Sequence, residues 1–206
     1  KKSIEIYKKY YPNHPDLAGS YNNIGLLYGK MGEYAKALSY FEKALSIRQQ
    51  SLPPNHPDLA LCYNNIGLVY VNMGEYAKAL SYYEKTLSIR QQSLPPNHPH
   101  LATSYNNIGS VYVNMGEYAK ALSYYEKALA IWQQSLPPNH PHLAGSYNNI
   151  GNVYGKLGEY TKALSYYEKT LGIQQQSLPP NHPDLAGSYN NIGLVYVNMG
   201  EYAKAL

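Results

Sequence analysis

NHPDLALCYNNIGLVYVNMGEYAKALSYYEKTLSIRQQSLPP, residues 55–96, is one copy of a 42-residue unit that fills the chain. Asn-His-Pro recurs at Asn13, Asn55, Asn97, Asn139 and Asn181, and Tyr-Asn-Asn-Ile-Gly recurs at Tyr21, Tyr63, Tyr105, Tyr147 and Tyr189. The register never slips. Segments 55–96 and 97–138 differ at only seven positions, which points to recent duplication or deliberate design. A repeat this exact is read before any single residue, because a feature present five times belongs first to the architecture.

The punctuation inside the unit predicts two helices. Pro57 suits a first helical position, where its missing N–H costs nothing, and Asp58 meets the positive helix end. Helix A then runs sixteen residues from Pro57, with Leu59, Tyr63, Ile66, Tyr70 and Val71 on one stripe and Met73-Gly74 as a left-handed stop. Glu75 opens helix B. Tyr76, Ala79, Leu80, Tyr83, Leu87 and Ile89 carry the pattern towards Leu94, and Pro95-Pro96 end it. Such a hairpin cannot cover its own apolar face, so successive hairpins stack into a solenoid. The fold class expected is all-α, a right-handed superhelical solenoid of antiparallel helix hairpins. Its units are 13–54, 55–96, 97–138, 139–180 and a truncated fifth, 181–206, with 1–12 as the end of a preceding helix B.

Composition excludes several functions. Of 206 residues 44% are hydrophobic, ordinary for a core-forming chain and not for a disordered one. The net charge of +4 has a local source in Lys1, Lys2, Lys8 and Lys9; from residue 13 on, 13 Lys/Arg face 12 Asp/Glu, too even for a nucleic-acid surface. No apolar run is long enough to span a membrane. The one cysteine, Cys62, cannot form an internal disulfide and stands where other units have Ser20, Ser104, Ser146 and Ser188, so it reads as a small packing residue in a reducing, cytoplasmic setting.

The unit resembles the tetratricopeptide repeat. Tyr63, Ile66, Gly67, Tyr70, Ala79, Tyr83 and Thr86 have that family's spacing. So do Tyr21, Ile24, Gly25, Tyr28, Ala37, Phe41 and Ala44, and their counterparts at 105–128 and 147–170. The usual repeat is about 34 residues. The longer version, with His-Pro-Asp-Leu-Ala leading into helix A and an Asn-Asn pair within it, is similar to the kinesin-light-chain type. The resemblance implies a non-catalytic protein-binding scaffold with helix A lining a concave groove.

By that resemblance, the groove positions are the Asn pairs Asn22/Asn23, Asn64/Asn65, Asn106/Asn107, Asn148/Asn149 and Asn190/Asn191, with residues three, six and seven beyond each pair. An amide carries both donor and acceptor, so a row of Asn suits an extended peptide backbone of any sequence. The alternative is that the pairs bridge neighbouring helices as a structural ladder; one Asn of each pair can serve each role. Variation among units is the second guide. One row is Leu26, Leu68, Ser110, Asn152 and Leu194, and another is Gly19, Leu61, Thr103, Gly145 and Gly187, a mixture suited to hydrophobic anchors. Only Lys30 and Lys156 stand where an acidic C-terminus would need a cation, so a carboxylate clamp is disfavoured. The expected partner is therefore a protein or peptide segment held in the groove.

Packing roles also follow. Gly25, Gly67, Gly109, Gly151 and Gly193 sit mid-helix, where glycine costs roughly 1 kcal/mol against alanine, so a close helix crossing is the expected compensation, with Ala37, Ala79, Ala121 and Ala163 opposite. The 25 tyrosines are expected to fill gaps between hairpins. Trp132, in place of Arg48 or Arg90, reads as an exposed aromatic, a contact or mere drift. No catalytic set, phosphate-binding loop or cofactor motif is visible. His14, His56, His98, His140 and His182 recur before Pro and read as helix caps, and the His-Pro-His pairs lack further ligands for a metal. Because neither end falls on a unit boundary, head-to-tail association of copies is the alternative expectation, a structural stack with no dedicated ligand.

Overall fold

A computed structural model describes residues 14–205, all of whose regular structure is helical. The helices are α1 (Pro15–Lys30), α2 (Tyr34–Ser51), α3 (Pro57–Asn72), α4 (Tyr76–Ser93), α5 (Pro99–Asn114), α6 (Tyr118–Ser135), α7 (Pro141–Lys156), α8 (Tyr160–Ser177), α9 (Pro183–Asn198) and α10 (Tyr202–Ala205). This is the expected all-α fold of antiparallel hairpins. The helix B tail expected within residues 1–12 lies outside the described residues.

Two compact units divide between Pro96 and Asn97. In the first, α1 pairs with α2 and α3 with α4, and the hairpins join through α2 and α3. In the second, α5/α6, α7/α8 and α9/α10 are the pairs, joined through α6 with α7 and α8 with α9.

Each helix boundary follows from its residues. The His56 Nδ1 accepts from the Asp58 amide at 3.1 Å, and His98, His140 and His182 cap α5, α7 and α9 in the same way. The recurrent histidine is thus a helix cap. Helix A ends on Gly74 at φ +75°, with the Glu75 amide donating to Tyr70 O at 2.9 Å and the Gly74 amide to Val71 O at 3.0 Å. That paired closure requires a left-handed residue. Glu75 is the N-cap residue rather than the first residue of helix B; its side chain makes no cap hydrogen bond and pairs with Lys78 one turn on at 3.2 Å. At the far end Leu94 is extended, as the residue before Pro95 must be.

The core of a hairpin is a close crossing, as the glycines suggest. A Cβ on Gly67 would lie 2.8 Å from the Tyr83 ring, and Gly25, Gly109 and Gly151 meet Phe41, Tyr125 and Tyr167 likewise. The glycine therefore makes room for an aromatic ring of helix B; the small Ala79, fully buried, lets the backbones approach.

Tyrosine rings border the clusters that join hairpins, as Tyr34 and Tyr70 do around Phe41 and Ile66, but their closest ring pairs lie within a hairpin. Tyr21 and Tyr28 of α1 flank Tyr40 of α2, with ring centroids 5.9 and 5.5 Å apart, and Tyr63/Tyr82/Tyr70, Tyr105/Tyr124/Tyr112 and Tyr147/Tyr166/Tyr154 repeat the triad. Each triad lies inside one hairpin. Residues seven apart on helix A share a face two turns apart, which leaves a slot that one helix B ring fills. Lysines of helix B cover the rings, as Lys85 does over Tyr82 at 5.1 Å. The phenol also reaches between hairpins: Gln49 Nε2 donates to Tyr63 OH at 3.0 Å, and Gln133 and Gln175 serve Tyr147 and Tyr189.

Candidate functional site

Within each unit the Asn pairs form a ladder between successive A helices. Asn65 Nδ2 donates to Asn22 Oδ1 at 2.8 Å in the first unit; in the second, Asn149 donates to Asn106 and Asn191 to Asn148, each at 3.0 Å. The second Asn of one pair thus bonds the first Asn of the preceding pair. Asn22 and Asn65 are buried, whereas Asn106, Asn148, Asn149 and Asn191 are half-buried. Asn64 and Asn107 are also half-buried, and Asn23 is exposed. A ladder bond engages one of the two N–H groups of an amide, so a bridging Asn retains the chemistry for a second contact.

Beside the ladder each unit has a recess. In the first it holds about 180 Å³ and is lined by Leu26, Lys30, Asn65, Leu68 and Asn72 with the Phe41 ring at its base. In the second, about 470 Å³ lies among Ser110, Val113, Asn149, Asn152, Lys156 and Leu194. Within each unit, taken by itself, ladder amides, members of the varied row and one lysine line a common recess. Gly145 and Gly187, of the other row, line a different recess with Asn148.

Sequence reasoning missed the helix B rings that floor these recesses. Tyr167 OH donates to Asn152 Oδ1 at 2.7 Å, and Tyr125 hydrogen-bonds Ser110. Burial pushes the Tyr83 and Tyr125 phenols up to about 12, so both stay protonated at neutral pH. The available signal was the appearance of polar Ser110 and Asn152 in a row that is otherwise leucine, each in a unit with a helix B tyrosine, although Leu68 accompanies Tyr83 as well.

Trp132 is not exposed. It is 4% accessible and stacks on His142, centroids 5.1 Å apart at 17°. His142 stands where Asp58 stands, and Asp58 pairs with Arg48, but His100 stands at the same position ten residues after Arg90, so this partner alone does not dictate the indole. Burial, and then His140, lower the pKa of His142, which favours the neutral ring in the stack. Cys62 is fully buried, accepts from Arg48 Nη1 at 3.1 Å, and has its thiol pKa raised chiefly by burial.

Among the described residues no three His, Cys, Asp or Glu side chains are grouped as metal ligands, and no helix is long and apolar enough to cross a membrane. Hairpins that hold one another and leave an amide-lined face define a helical-repeat scaffold for protein interaction. The chain belongs to the tetratricopeptide repeat family, whose profile matches residues 1–50, 16–92, 58–134, 100–176 and 142–206. No curated protein matches it. BtubC (BKLC) from P. vanneervenii is similar in structure, with 26% identity and a TM-score of 0.85 over 99% of this chain and 82% of that one. A protein from Podosopora anserina, described as a kinesin light chain with nearly identical TPR-like repeats, has 22% identity and a TM-score of 0.80 over 93% of this chain and 91% of its own. The apo form of RapI has 22% identity and a TM-score of 0.79 over 99% of this chain and 55% of its own. All three share the helical fold of this chain, and the first two are of the kinesin-light-chain-like repeat type.

Proposed function

We propose that the chain holds an extended peptide segment of a partner protein against the A helices of its units, with ladder amides bonding the backbone and the neighbouring recesses taking side chains. The observation that carries this reading is the exposure of Leu26, Leu68 and Leu194, 39%, 45% and 56%, beside those amides. Apolar side chains set next to backbone-competent amides combine non-directional attraction with main-chain hydrogen bonding. The reading assigns no catalysis and no cofactor, and places the chain in the cytoplasm, where Cys62 stays reduced.

A displayed random-peptide library tests it. Selected peptides should bind saturably, and Leu68→Asp with Leu194→Asp should weaken binding at least tenfold while the melting temperature moves little, since both side chains are exposed. Asn149→Ala should lose binding and about 1 kcal/mol of stability together, because one amide serves both ladder and ligand. Peptides that bind the double Asp variant as tightly as the parent, or no saturable binder at all, would remove the groove from consideration.

A second reading is self-association. The Gln–Tyr contacts Gln49–Tyr63, Gln133–Tyr147 and Gln175–Tyr189 recur in near-identical hairpins, so a hairpin of one copy presents the surface that a hairpin of another copy is built to meet. Sedimentation should then show a mass growing with concentration; a constant monomer mass up to millimolar protein counts against it.

A further inference from the structure

Two seams built from the same repeat positions are filled differently. Between α2 and α3, Arg48 Nη1 donates to the Asp58 carbonyl at 3.2 Å and to Cys62 Sγ at 3.1 Å, and Nη2 lies 3.6 Å from Asp58 Oδ2. The Arg48 side chain is only 12% exposed, so the guanidinium is part of the seam. Between α8 and α9, Asp184 is the counterpart of Asp58, but Gln174 replaces Arg48 and Gly187 replaces Leu61. The shorter Gln174 keeps the contact to the counterpart of Cys62, its Oε1 accepting from Ser188 Oγ at 2.6 Å, but brings no guanidinium to Asp184. A recess of about 370 Å³ remains, lined by Gly145, Asn148, Gln174, Ser177, Asp184 and Gly187, with no lysine or arginine in its walls. A Cβ built on Gly145 or Gly187 would meet nothing within 4 Å, so the mouth is open.

We propose that this recess takes an arginine side chain presented by a partner protein, in the manner in which the first unit holds its own Arg48. A guanidinium is planar and offers five N–H donors. Asp184 supplies the carboxylate that Asp58 supplies to Arg48, and it lies 3.7 Å from the His182 ring nitrogen that caps its helix. The site also adjoins the ladder: Asn191 lines both this recess and the one holding Leu194. Successive side chains of an extended chain point to opposite sides, so a peptide bonded to Asn191 delivers an arginine to one recess and an adjacent apolar residue to the other. The inference thus deepens the groove reading and rests on it for the partner, while the arginine site has a test of its own.

That test is amide NMR of the whole chain titrated with N-acetyl-arginine methylamide and, separately, with the isosteric N-acetyl-citrulline methylamide, which lacks the charge. The arginine probe should shift the Asp184 and Gly187 amides saturably, and citrulline should bind at least tenfold more weakly. Gln174→Arg should abolish the shifts by filling the recess from within; because Arg48 and Arg90 occupy this position in other units, the variant is expected to fold. Asp184→Asn should abolish them as well, and Leu194→Asp should leave them intact. Equal binding of citrulline, shifts that persist in Gln174→Arg, or no shift at either amide would overturn the arginine site. Leu194→Asp separately decides the groove through library peptides.

Discussion

Trp132→Ala is expected to lower the stability of the second unit by roughly 3–5 kcal/mol, the range for truncating a buried tryptophan. Trp132 belongs to the largest cluster of that unit, with Ala128, Leu143, Ile150 and Val153, and its ring covers His142. Its loss leaves a cavity between α6 and α7 and uncovers the imidazole. One feature moderates the effect: Trp132 Nε1 and Ser146 Oγ are both buried without a hydrogen-bond partner, so the native seam already bears a polar desolvation cost. The value should fall towards the lower end of the range. Trp132→Arg, which restores the residue at positions 48 and 90, should recover only part of the loss, because the guanidinium then faces His142 instead of a carboxylate. Urea unfolding followed by circular dichroism measures both. A Trp132→Ala change below about 1 kcal/mol would mean that the indole is not a core side chain.

Gly109→Ala should destabilise the same unit by roughly 1–3 kcal/mol, the usual cost of overpacking, although alanine is the better helix former. The new Cβ would sit 2.8 Å from the Tyr125 ring and 3.3 Å from the Ala121 carbonyl oxygen. The ring is 5% exposed and cannot swing aside, and the carbonyl is held in α6. Gly172→Ala is the internal control. Gly172 also lies mid-helix, yet its Cβ would meet nothing within 4 Å, so this change should stabilise by up to about 1 kcal/mol. The opposite signs separate intrinsic propensity from packing. If both substitutions raise the melting temperature, the glycine–ring crossing is not a tight contact.

Most of the fold was legible because its signals are local. Pro57 and Gly74 bound helix A through backbone constraints that need no partner, and the expected stripe holds at Leu59 and Ile66, whereas Tyr63, Tyr70 and Val71 are only half-buried and Cys62 and Val69 are buried instead. The caps by His56 and His98 were legible for the same reason, since an N-cap acts two residues away. The Asn rows were legible only as candidates. Whether Asn65 faces a ligand or Asn22 depends on how far apart two A helices lie, and no spacing within one unit states that distance.

Trp132 was misread for a related cause. A lone aromatic at an Arg position resembles surface drift until His142, ten residues on, is known to lie beneath it. The tyrosine triads within a hairpin were not legible because the number of tyrosines indicates an aromatic layer but not which helices share it. In this chain, then, helix limits, unit length and the apolar face come from forces acting within a turn or two, which are written residue by residue in the sequence. The ladder, the tyrosine triads and the contrast between the filled Arg48 seam and the open Asp184 recess were settled only by packing. Each depends on distances between residues that are far apart in the chain, set by how one hairpin comes to rest on the next.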